Sequence, residues 1–187
     1  MKAQILLVLP ALILLVFGAC KKSDEPADEN GNSFAESETI ILIGDKEYVF
    51  NLSGEEIPDK VVFTDVNVSI KLVNNSDQVL RVKLSGPDIY GKSNLKFMAK
   101  PNIPFEVTEN LASITLYDPN EVPLTNDATK YLIDGEVSVS KLTTNEIELS
   151  YDGEGFPGGN FANNTEGRFE AQLSLKLMDF GLLDIRN

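Results

Sequence analysis

The chain has 187 residues, with 29 Asp and Glu against 16 Lys and Arg, a formal net charge of −13, one cysteine and no histidine. That charge balance argues against nucleic acid as a partner, because phosphate binding needs clustered cations. The missing imidazole removes Ser-His-Asp and Cys-His catalysis, the commonest general base and nearly all zinc sites.

Met1 to Cys20 sets the address. Lys2 gives a minimal positive start, and every residue from Ile5 to Phe17 is apolar, with Pro10 in the middle. As a helix that run would reach only about 20 Å, against a hydrocarbon core of about 30 Å. It suits the apolar region of a signal peptide better than a membrane anchor. Phe17-Gly18-Ala19-Cys20 resembles the lipobox of bacterial lipoproteins, with Phe17 standing where an aliphatic residue is usual. The resemblance implies cleavage after Ala19, lipidation of Cys20 on sulfur, and Cys20 as the new amino terminus. An unpaired thiol in an exported chain is otherwise unexplained. Losing residues 1–19 removes one cation, leaving 15 against 29 acids, a net −14. Such a chain is repelled by anionic lipid, so membrane affinity would come from acyl chains on Cys20.

Residues 20–38 read as a tether. Asp24, Glu25, Asp28, Glu29, Glu36 and Glu38 lie among Ser, Asn, Gly31 and Pro26, a composition that buries too little apolar surface to offset ordering entropy. Its reach is about 60 Å fully extended and nearer 23 Å as a coil. Lys21-Lys22-Ser23-Asp24-Glu25 loosely resembles the export signal of some Gram-negative surface lipoproteins, and it equally suits a solvated spacer.

From Thr39 the pattern has period two. Ile40 to Ile43, Gly44-Asp45 and Glu47 to Leu52 predict a hairpin. Val61 to Phe63 form a short apolar patch after Pro58. Val66, Val68, Ile70 and Leu72, then the turn Asn74 to Asp77, then Leu80, Val82 and Leu84 predict a second hairpin of half-buried strands. Ser85 to Asn94 reads as a loop, Leu95 to Met98 as a short strand, and Leu111 to Tyr117 as another. Pro101 and Pro104 confine any strand between them to an edge. Tyr131 to Ile133 leads into Asp134-Gly135, a turn dipeptide. Val137 to Tyr151 makes a hairpin around Thr143-Thr144-Asn145, and a Gly-rich loop is expected over Asp152 to Gly167. Phe169, Ala171, Leu173, Leu175 and Leu177 then alternate with polar residues, a pattern expected of a central strand.

Ser93-x-x-Lys96 and Ser138-x-x-Lys141 match a nucleophile spacing that works only at a helix start, so in strands they are coincidence. The 152–167 loop offers hard oxygen ligands at Asp152, Glu154 and Asn160, which makes Ca²⁺ the one cofactor left open, although the spacing is not that of an EF-hand. Tyr90, Phe156 and Phe161 fall outside the alternating strands, and either stack on a ligand or plug the core.

No sustained helical period occurs after Cys20, so the expected fold is all-β: one antiparallel β-sandwich or partly open barrel over residues 39–187. Gly135-Glu136-Val137-Ser138-Val139 and Gly167-Arg168-Phe169-Glu170-Ala171 resemble the C-terminal meander of small β-rich bacterial lipoproteins. That resemblance implies fold and address, not chemistry. The functional expectation is an outer-membrane lipoprotein, on the periplasmic or surface side, acting as a non-catalytic binding module for an envelope glycan or protein. Two alternatives stand beside it: a structural accessory assembling through an edge strand and, remotely, a hydrolase using paired carboxylates.

Overall fold

A computed structural model describes residues 37–52, 61–104, 106–121, 128–158 and 167–186. The expected leader and the tether up to residue 36 lie outside the described residues, as do Asn160 and Phe161. The described part is all-β: one large curled sheet forming a half-barrel.

Eleven strands build it: β1 (Ser37–Ile43), β2 (Lys46–Leu52), β3 (Val61–Phe63), β4 (Asn67–Val73), β5 (Val79–Ser85), β6 (Leu95–Ala99), β7 (Leu111–Tyr117), β8 (Thr129–Leu142), β9 (Glu146–Pro157), β10 (Phe169–Met178) and β11 (Leu182–Asp184). Their order is β11-β3-β4-β5-β7-β6-β8-β9-β10-β1-β2. Pairing is antiparallel except β11 on β3 and β6 on β7. The Gly44-Asp45 hairpin forms as expected, with Gly44 at a φ of 55°. The Asn74 turn forms too, its side-chain Oδ1 accepting from the backbone N–H of Ser76 and Gln78, an Asx-type turn.

Alternation decides which side of the sheet each residue meets. In β10, Ala171, Leu173, Leu175 and Leu177 are buried while Glu170, Gln172, Ser174 and Lys176 are exposed. This strand lies between β9 and β1, as its pattern predicts. The inner faces of all the longer strands meet in a single core, whose largest fully buried side chains include Tyr48, Phe50, Phe63 and Phe97. Each such side chain contributes about 1.5–3 kcal/mol through burial.

Two sequence expectations are corrected. Asp134-Gly135 is not a turn but an irregularity inside one long strand. β8 pairs with β7 from Thr129 to Leu132 and with β6 from Glu136 to Val139. The register against β9 breaks between Ile133 and Glu136, where Asp134 takes a φ of 52°. Gly135 is required there, since a Cβ would overlap the Asp152 carbonyl oxygen and the Tyr151 ring. Likewise, Asp152 to Pro157 is not loop. It continues β9, with Glu154 opposite Glu170 on β10 and Phe156 opposite Tyr131 on β8. The glycines that suggested a loop serve close packing. A Cβ on Gly153 would lie 2.6 Å from the Gly135 Cα.

Candidate functional site

The densest polar arrangement sits where the start of β2 meets the β4–β5 turn and the residues just after β7. Lys46 Nζ donates to Asp118 Oδ2 (2.9 Å) and Glu121 Oε1 (2.8 Å). Tyr48 OH donates to the same Glu121 oxygen (2.9 Å), and Lys130 Nζ pairs with Glu121 Oε2. Gln78 Nε2 donates to Asp118 Oδ2 (3.1 Å), and the Asn120 backbone N–H donates to Asp118 Oδ1 (3.0 Å). Asn74 Nδ2 donates to Gln78 Oε1 (2.7 Å) and to the Val49 carbonyl (3.1 Å).

Burial makes this network costly unless it is complete. Asp118 is fully buried and Lys130 nearly so. Burial works against the charged forms of Asp118 and Glu121, but their hydrogen bonds outweigh it, from Lys46 to Asp118 and from Lys130 and Lys46 to Glu121. The Asp118 carboxyl is held below its ordinary range and that of Glu121 comes down to about 2. Burial raises the Tyr48 phenol to about 12. Lys46 is raised although burial opposes it, because Glu121 and Asp118 accept from it. At neutral pH the carboxylates are therefore ionised, the Lys46 ammonium and the phenol protonated. A base or a nucleophilic amine needs the opposite shift, so this cluster clamps elements together and offers no poised proton. Nothing in the local sequence marks it except Lys130, which takes an inward position beside Leu132 in an alternating run.

A second feature is a depression of about 450 Å³ on the outside of β1, β10, β9 and β8, ringed by Asp134, Asp152, Glu154 and Glu170. Arg168 donates to Asp134 Oδ2 (3.0 Å) and Glu154 Oε2 (2.7 Å) across it. These carboxylates are exposed, whereas glycoside hydrolysis wants one of a pair desolvated.

A third is set by how charge divides over the sheet. Strands β3, β4, β5, β6 and β7 contain no Asp or Glu, while β1, β2, β8, β9 and β10 all carry them. On the outward side of the acid-free strands, Lys71 stands opposite Arg81, and Arg81 opposite Thr115. Next to that row Ser69 stands opposite Lys83, and Lys83 opposite Ser113. The three cations are exposed and border a groove of about 410 Å³. Among the described cations, Lys46, Lys92, Lys96, Lys130, Lys141, Arg168 and Arg186 sit in ion pairs. Arg81 and Lys83 form no ion pair with any described residue.

No family model, curated protein or solved structure matches this chain.

The residues singled out from sequence are dispersed by the fold. Tyr90 is half-buried. Its hydroxyl lies 2.6 Å from the Thr64 carbonyl and 2.8 Å from that of Asn67, and its ring packs on Phe63 with the Arg186 guanidinium above it. Burial raises this phenol to about 12. Phe156 is fully buried and stacked on Tyr131, 5.5 Å between ring centres. Neither is an exposed stacking platform. Asp152 and Glu154 lie on the outer side of β9, and Glu154 is engaged by Arg168. Among the described residues no three or more His, Cys, Asp and Glu are placed to hold a metal ion. Ser138 and Lys141 lie in β8 with a register shift between them, and Lys96 is paired with Glu136.

Proposed function

We propose that the protein is a lipid-anchored envelope protein, held at the membrane by acyl chains on Cys20, whose β-domain acts as a non-catalytic binding module. The observation that carries the binding reading is the segregation of charge. In a chain of net −13, the described strands β3 to β7 carry no Asp or Glu, and Arg81 and Lys83 on their outward side form no ion pair with any described residue. A surface with no ligand gains nothing from this, since interspersed opposite charges are less self-repelling. The anchor reading is supported by the signal-like segment ending in the chain's single cysteine.

Assembly through an edge strand has less support. Edge strand β11 is three residues long, and on the other edge, β2, the Val49 carbonyl is taken by Asn74. Short or capped edges are how sheets avoid pairing with neighbours.

The test is affinity capture of the intact protein from its native membrane, with mass spectrometry of the captured material. The expected result is a mature chain starting at Cys20 with acyl mass on that residue, and a co-purifying envelope component. A mature amino terminus elsewhere, or a retained leader, would refute the anchor.

A further inference from the structure

We infer that the last strand, β11, is a releasable strap: it swings off the β3 edge about Gly181 while the rest of the sheet stays folded, and leaves that edge open when it goes. Nothing in this depends on the lipid anchor or on the groove. It follows from a contrast in how β3 and β11 are held.

Strand β3 is built into the domain. Val61 and Phe63 are buried in the core. Just past them the Thr64 N–H donates to the Asn67 carbonyl (2.9 Å), and the Tyr90 hydroxyl lies against the carbonyls of both residues. Strand β11 has little of this. Leu182 is half-buried, while Leu183, Asp184 and the following Ile185 are exposed. Its sheet neighbour is β3 alone, and the pairing is parallel, the less stable kind per residue. Fixing a largely exposed segment costs conformational entropy that one half-buried leucine offsets poorly.

The route of the chain sets the hinge. Strand β10 lies between β9 and β1, whereas β11 stands at the far end of the strand order. The peptide steps from Met178 to Leu182 cover at most about 14 Å, so the curl of the sheet brings the β3 edge beside the end of β10. Within the link, the Asp179 N–H donates to the Asn145 carbonyl (2.9 Å) and Phe180 is buried. Both therefore stay with the body. Gly181 comes next, with open space where a Cβ would stand, and glycine has the widest backbone freedom.

Arg186 is the pin. Its guanidinium lies 4.6 Å from the centre of the Tyr90 ring and 5.2 Å from that of Phe63, a cation over aromatic faces. The Asp65 carboxylate adds attraction from the body. The bond from Arg186 Nε to Asp184 Oδ1 (2.8 Å) is internal to the strap and travels with it. Across the seam the Val61 N–H donates to the Gly181 carbonyl (3.3 Å), and the Ile185 N–H donates to the Phe63 carbonyl (3.0 Å). A guard of this kind keeps a sheet edge from pairing with strangers except while it is open.

The test is residue-resolved amide hydrogen exchange on the purified full-length chain in non-ionic detergent, corrected for intrinsic rates. Val61 and Ile185 should exchange at least about a hundredfold faster than Leu173 and Leu175 of β10, because local opening releases the first pair and spares the second. Arg186→Gln should speed Val61 and Ile185 about tenfold further and leave Leu173 and Leu175 unchanged. Arg186→Lys, which keeps a cation over the rings, should stay within about threefold of wild type. The strap is refuted if Val61 and Ile185 exchange as slowly as the β10 pair, or if the glutamine variant leaves them unchanged. Acceleration of all four amides alike also refutes it, since β11 would then leave only when the whole domain unfolds.

Discussion

Glu121→Gln is the sharpest probe of the clamp that joins β2, the β4–β5 turn and β8. The substitution keeps the shape and an accepting oxygen, but removes the charge that Lys46, Lys130 and Tyr48 all address. The fall of the Glu121 carboxyl from 4.5 to about 2 converts to about 3.4 kcal/mol at 1.36 kcal/mol per pH unit. Its side chain is 33% exposed, so solvent screening reduces this to about 1–2 kcal/mol. The folded-state value lies below the unfolded one, so the contribution is complete above about pH 4.5 and fades as pH falls toward 2. Urea unfolding of wild type and variant should therefore differ by about 1–2 kcal/mol at pH 7, and converge near pH 2. A gap that stays constant from pH 7 to pH 2.5 would show that charge is not what the carboxylate contributes. No destabilisation at pH 7 would refute the clamp altogether.

Gly135→Ala should cost about 1–3 kcal/mol in chemical denaturation, because its Cβ would meet the Asp152 carbonyl and the Tyr151 ring. Tyr151→Phe removes a hydroxyl that lies 2.7 Å from the Ile133 carbonyl and 2.6 Å from that of Glu154. A loss of about 1–2 kcal/mol and faster amide exchange on either side of Asp134 are expected. Thr39→Val should stabilise by about 1 kcal/mol, read as a higher melting temperature, since the Thr39 hydroxyl is buried with no hydrogen-bond partner among the described residues.

Fold class was readable because the strongest signal, period-two alternation, is local. It places β4, β5 and β10 and both long hairpins without knowledge of any neighbour. What failed was the meaning of glycine. Asp134-Gly135 and the run from Gly153 to Gly155 carry turn chemistry, yet they sit inside β8 and β9 because another backbone, or the Phe169 ring, approaches too closely for a side chain. Partner-dependent glycine cannot be told from turn glycine one segment at a time. The clamp was equally hidden, since Lys46 and Asp118 are 72 residues apart in sequence. The cations of the groove were each visible as polar positions in alternating strands. That they share a face with Ser113 and Thr115 followed only once β7, not β6, proved to be the neighbour of β5.

The way β8 passes from β7 to β6 at Asp134 has a mechanical consequence. The two flanking portions of the domain hold this strand in common, and β9 runs alongside its whole length. Losing β7 or β6 would strip only part of one edge of β8, whereas β9 backs both parts and ties them together. A tug on the amino-terminal end at β1 reaches β10, then β9, then this shared rail. The domain should resist such pulling as one body and give way in a single event.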